Sequence, residues 1–79
     1  MNSIQCKMAR AALGWGVREL ARAANVSTQT ITRLEAGDQL RDKTIADIER
    51  VLIEAGIEFI PENGAGAGVR FSKPARTKI

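Results

Sequence analysis

The sequence holds no histidine and one cysteine, Cys6, in 79 residues. Without histidine, imidazole catalysis and Cys/His zinc sites are excluded, and one thiol cannot form an internal disulfide. The longest apolar runs are a few residues. A membrane-crossing helix needs about 20, so no span is expected. No apolar h-region follows the N-terminus, so no secretory signal is read. An unpaired thiol with no export signal fits the reducing cytoplasm. No nucleophile–base pair and no acidic cluster suited to a pocket is visible, so an enzyme is not expected. Nothing calls for a cofactor, a metal or a small-molecule ligand. A single domain this short buries only about 60% of the surface its unfolded chain exposes. With disulfide and metal staples excluded, oligomerisation is the expected support.

What is present is charge, unevenly spread. The net charge is +3 with a pI near 9.6, a weak pointer to a polyanionic partner. Resolved by block, residues 1–43 carry +3, residues 44–62 carry −4, and residues 63–79 carry +4. The plain reading is solvated surface. The sharper reading is two basic surfaces for phosphate, with an acidic helix kept away from them.

Apolar periodicity predicts a mostly α chain. A first helix over 4–13, capped by Ser3, places Cys6, Ala9, Arg10 and Leu13 on one face. Gly14 stops it. A second helix over 17–24, capped by Gly16, turns Leu20, Ala21 and Ala24 inward. Asn25-Val26-Ser27 is a turn, and Asn25 tolerates a left-handed backbone. Ser27 caps a third helix over 28–36 that ends at Gly37, with Ile31 and Leu34 inward. A polar loop over 37–43 leads to a fourth helix over 45–55, capped by Thr44, with Ile45, Ile48 and Leu52 inward. Ile57–Ile60 and Val69–Phe71 read as strands around a glycine-rich turn, and 73–79 as a basic flexible tail. The Gly64–Gly68 run opens no helix and lacks a following Lys-Ser/Thr, so it reads as a turn rather than a phosphate loop.

The three-residue link between the second and third helices suits a helix-turn-helix. Leu20, Ala21, Val26, Ile31 and Leu34 can share one small core, with Ala21 permitting a close crossing. The stretch from Arg18 to Gly37, with Leu20-Ala21, Val26-Ser27, Ile31, Glu35 and Gly37 at their spacing, resembles the Cro/C1-type (XRE) helix-turn-helix family. The likeness covers residues 4 to about 55. It implies a lambda-repressor-like bundle of short helices and a homodimer on a partly palindromic double-stranded DNA operator. Its compact members include phage repressors, controller proteins of restriction–modification systems, antitoxins and regulators of mobile elements. The implied setting is bacterial or phage, and the implied role a regulator, most often a repressor, of its own or nearby promoters. An antitoxin or anti-activator module on the same fold is the alternative. Two departures stand out: Val17 occupies the position of the family's usual Gln, and Leu40-Arg41 lies near where a Pro is usual.

The resemblance assigns base reading to Thr28, Gln29, Thr32 and Arg33, on the exposed face of the third helix. Gln pairs bidentately with adenine, and Arg with guanine O6/N7. Arg18, Ser27, Arg41 and Lys43 are phosphate candidates on the rim. Thr30 meets a phosphate or packs at the edge. Arg10 and Glu35 are implied as a partly buried structural ion pair. Cys6 reads as a small buried hydrophobe and Trp15 as a lid on the core. Val51, Ile53, Ile57, Phe59, Val69 and Phe71 exceed what so small a core should absorb, which marks residues 57–72 and the fourth helix as a dimer surface. The strands could form a hairpin or pair across the two-fold. A symmetric dimer would set its recognition helices about 34 Å apart.

Overall fold

The computed structural model describes residues 1–73; Arg76, Lys78 and most of the expected basic tail lie outside them. Four helices precede two strands: α1 (Ser3–Ala12), α2 (Val17–Ala24), α3 (Thr28–Glu35), α4 (Asp42–Glu54), β1 (Ile57–Ile60) and β2 (Gly68–Phe71).

Local chemistry sets most of the boundaries. The cap of α1 is Asn2, not Ser3: its side chain accepts the Gln5 N–H at 2.8 Å, and Gln5 Oε1 accepts the Asn2 N–H at 3.0 Å. This reciprocal box satisfies two donors, where a single Ser3 hydroxyl would satisfy one. At α2, Glu19 Oε1 accepts the Gly16 N–H at 2.7 Å. Asn25 ends α2 with φ 57° and ψ 45°, the left-handed conformation its short polar side chain tolerates. Ser27 Oγ accepts the Thr30 N–H at 3.1 Å and so caps α3. The start of α4 corrects the expected boundary. Arg41, extended at ψ 142°, is the entry residue, and Thr44 lies inside the first turn. Asp42 at the first helical position complements the positive end of the helix dipole.

The inward stripes of all four helices meet in one core. Cys6, Ala9, Leu20, Ala21, Ile31, Leu34, Ile48 and Leu52 are buried, with Ile57 joining them from β1. Trp15, Val17 and Val26 pack half-buried against it. The strands pair with each other as an antiparallel hairpin, with Ile57 opposite Phe71 and Ile60 opposite Gly68. Glu58 and Arg70 face one another across it at 2.8 Å, and this bond holds the Glu58 carboxyl below its ordinary range.

The hairpin also corrects the expected interface. Ile57 is only 1% exposed, so it serves this chain's core rather than a partner. Val51, Phe59 and Val69 pack half-buried against the same core. One chain absorbs these side chains because the hairpin folds back onto α1 and α4. Ile53 at 50% and Phe71 at 43% remain exposed, together with Ile4 at 55%.

The buried Gln5 side chain fastens the hairpin to α1. Its Nε2 donates to both the Ile60 and Gly68 carbonyl oxygens at 3.0 Å, at the mouth of the hairpin turn. With Oε1 on the Asn2 N–H, every polar atom of this amide is used. Gln5→Ala is therefore expected to destabilise the fold by about 2 kcal/mol. Chemical denaturation measures that cost, and amide exchange should show the hairpin losing protection before α2 and α3.

Candidate nucleic-acid interface

The α3 helix has two faces because its side chains follow the 3.6-residue period. Ile31, Leu34 and Glu35 are buried, whereas Thr28, Gln29, Thr32 and Arg33 are exposed. The structure thus gathers all four base-reading candidates on one open surface. Thr32 differs from the others in chemistry: its hydroxyl donates to the Thr28 carbonyl at 3.1 Å. What Thr32 can offer a base is its methyl group and the acceptor side of its oxygen, which fits a thymine methyl better than a polar base edge. Arg33 Nε donates to Asp38 Oδ2 at 3.3 Å.

The rim surrounds this face. Ser27 and Thr30 share a hydroxyl hydrogen bond of 2.9 Å at the α3 N-terminus. They line an open cleft of about 450 Å³ with Arg33, Arg41 and Thr44. The Arg41 guanidinium and three hydroxyls in this concavity suit a phosphate oxygen, with the base-reading candidate Arg33 on the same cleft. Arg18 is exposed at the N-terminus of α2. Lys43 instead reaches Asp47 on its own helix at 3.2 Å. That solvated i,i+4 pair is worth about 0.3–0.5 kcal/mol, too little to keep Lys43 from a phosphate. Among the described residues, Lys7, Arg18, Arg22 and Arg41 have no acidic partner within 4.0 Å. Lys7 lines a second open cleft with Val17 and Thr32. It belongs with the cations of this surface, although the helix-one pattern gave it no role. Its separation from the core positions Cys6 and Ala9 was the available signal.

Beneath the surface lies one charged cluster. Arg10 Nε and Nη2 donate to the two Glu35 carboxylate oxygens, each at 2.9 Å, and Nη1 donates to the Trp15 carbonyl at 3.1 Å. Cys6 Sγ donates to Glu35 Oε2 at 3.4 Å. The pair ties α1 and the α1–α2 connector to α3. Burial, then the neighbouring Glu35 charge, push the Cys6 thiol up to about 12.

A short turn joining two helices, the second exposing a polar face rimmed by free cations, defines a helix-turn-helix DNA-binding module. The comparison with protein families agrees: the model described as Helix-turn-helix matches residues 7–55. The chain belongs to this family, the Cro/C1-type (XRE) helix-turn-helix proteins. Membership makes it a DNA-binding regulatory protein of the XRE type, a family that is not catalytic. A search of curated proteins gives no match. Among the described residues, no helix is long and apolar enough to cross a membrane.

Two outcomes test the cluster. Arg10→Met leaves the Glu35 carboxylate buried without its partner and should cost about 3 kcal/mol by denaturant titration. Replacing Glu35 as well, by Leu, should recover part of that loss. For Cys6, the folded-state value lies above the ordinary 9.0. Its stabilising contribution is complete below pH 9 and is lost as pH rises towards 12. The stability gap between wild type and Cys6→Ala should therefore shift against wild type over that window, and iodoacetamide should leave the folded thiol unmodified at pH 8.

Proposed function

We propose that the protein is a homodimeric, sequence-specific transcriptional regulator that occupies a partly palindromic operator in its own or a nearby promoter, acting as a repressor in the bacterial or phage cytoplasm. The observation that carries this reading is the exposed face of α3. Gln29 and Arg33 stand one helical turn apart on it, and cations without acidic partners rim it. Gln29 reads adenine and Arg33 reads guanine in the major groove, while Thr28 and Thr32 supply flanking contacts. Arg18, Ser27, Thr30, Arg41 and Lys43 hold the phosphates and set the register of α3 in the groove.

Dimerisation places two such readers on one side of the duplex. The apolar side chains left open for it are Ile53 on α4 and Phe71 on β2, with the outer parts of Val51, Phe59 and Val69 beside them. Ile53 and Phe71 line one open cleft together, which supports a single contact surface.

A mobility-shift titration over the gene's upstream region, with scrambled duplex as competitor, tests the reading. Gln29→Ala and Arg33→Ala should each weaken operator binding by about 1–3 kcal/mol and relax preference at one base pair per half-site. Arg18→Ala or Arg41→Ala should weaken all sequences alike and reduce the salt slope by about 1. Ile53→Glu should shift sedimentation towards the monomer. Equal affinity for operator and scrambled duplex sinks the proposal. It would favour the protein-interaction alternative, to which the Val17 departure points.

A further inference from the structure

We propose that Asp38 is a positioning residue for base recognition: it holds the Arg33 guanidinium so that its two terminal amino groups face a guanine. The inference rests on the DNA-reading function proposed above. It begins with the backbone at the end of α3. Gly37, with φ +92°, takes the left-handed turn. The Gly37 N–H then donates to the Leu34 carbonyl, and the Asp38 N–H to the Arg33 carbonyl, both at 3.0 Å. This paired closure brings the second residue past the cap back over the last full turn of the helix. An apolar contact usually joins those two positions. Here the contact is an ion pair, Arg33 Nε to Asp38 Oδ2 at 3.3 Å.

The atoms used matter. Guanidinium presents five N–H donors in a fixed plane. Asp38 takes the single Nε donor, and the Nη1/Nη2 end of the fork makes no hydrogen bond among the described residues. That end matches the O6/N7 edge of guanine. An unrestrained arginine loses rotamer entropy on docking. A carboxylate fixed by the backbone of the same helix terminus removes part of that loss in advance. Both side chains are about half exposed, Arg33 at 53% and Asp38 at 54%. The pair therefore contributes little to the fold, and its effect falls on recognition. Asp38 also sets a negative charge beside the phosphate rim, which disfavours binding where no guanine rewards the arginine.

The test is the base preference of the full chain. Binding of wild type, Arg33→Ala, Asp38→Ala and Asp38→Glu is measured over a randomised duplex library, with circular dichroism melting of each variant. Wild type should prefer guanine at one position of each half-site. Arg33→Ala should abolish that preference. Asp38→Ala should reduce it by about tenfold without weakening binding to a non-specific duplex, and Asp38→Glu should retain most of it. Unchanged guanine preference in Asp38→Ala, or in Arg33→Ala, overturns this inference while leaving sequence-specific binding intact. A wild type with no base preference anywhere overturns the underlying function instead.

Discussion

The carboxylate of Glu35 is the constraint from which the rest of the structure follows. An apolar core of Leu, Ile and Ala side chains is permissive about small slides between helices, because dispersion contacts are non-directional. Glu35 is not permissive. It sits buried at the last turn of α3 and receives the Nε and Nη2 donors of Arg10 and the thiol of Cys6. The Nη1 group of Arg10 is fixed on the Trp15 carbonyl. These bonds have a single geometry, and breaking it exposes a buried charge to an apolar surround. The rotation of α3 about its own axis is thereby set from below, and with it the direction in which Gln29 and Arg33 point. An eight-residue helix could not hold that orientation through its own hydrogen bonds, since isolated helices of this length are marginal in water.

The net charge of +3 takes on a spatial meaning once ion pairs are assigned. Arg50 lies between Asp47 and Glu54, Arg70 is bound to Glu58, and Arg10 is bound to Glu35. Each of these cations is balanced where it stands. The cations without acidic partners among the described residues of the helical half, Lys7, Arg18, Arg22 and Arg41, belong to α1, α2 and the entry to α4. Long-range steering of a polyanion depends on this unbalanced part of the field rather than on the total.

Sequence reading reached different depths in different parts of the chain. The bounds of α2 and the start of α3 were legible because their signals are local. Gly16, Asn25 and Ser27 each act within a few residues. The exposed face of α3 was legible for the same reason, since it follows from helical period alone. The start of α4 is not legible in the sequence, because Thr44 has the chemistry of a cap while the chain has already turned at Arg41. Gln5 was illegible as a fastener because its acceptors lie 55 and 63 residues away. A count of apolar residues points Ile57 towards an interface, but a count does not say where a hairpin folds back, and Ile57 is buried in this chain's own core. The Arg33–Asp38 pair was within reach. Gly37 at the helix terminus, with its positive φ, brings Asp38 back beside Arg33.

The two layers of the molecule imply two distinguishable ways to lose DNA binding. Residues below the surface, such as Gln5, Arg10 and Glu35, act on the population of the folded state. The apparent dissociation constant rises in inverse proportion to that population, so their loss weakens every sequence by the same factor. In a domain with only a few kcal/mol in hand, a cost of about 3 kcal/mol consumes much of it. The homodimer proposed above would work against that loss, because a partner that binds only the folded chain raises its population by mass action. The residues proposed to read bases, Gln29 and Arg33, are exposed; in that proposal their loss leaves the population alone and changes the ranking of sequences. Glu35 and Arg33, two positions apart on one helix, thus fall on opposite sides of this division. Their separation in function comes from helical phase, not from distance along the chain.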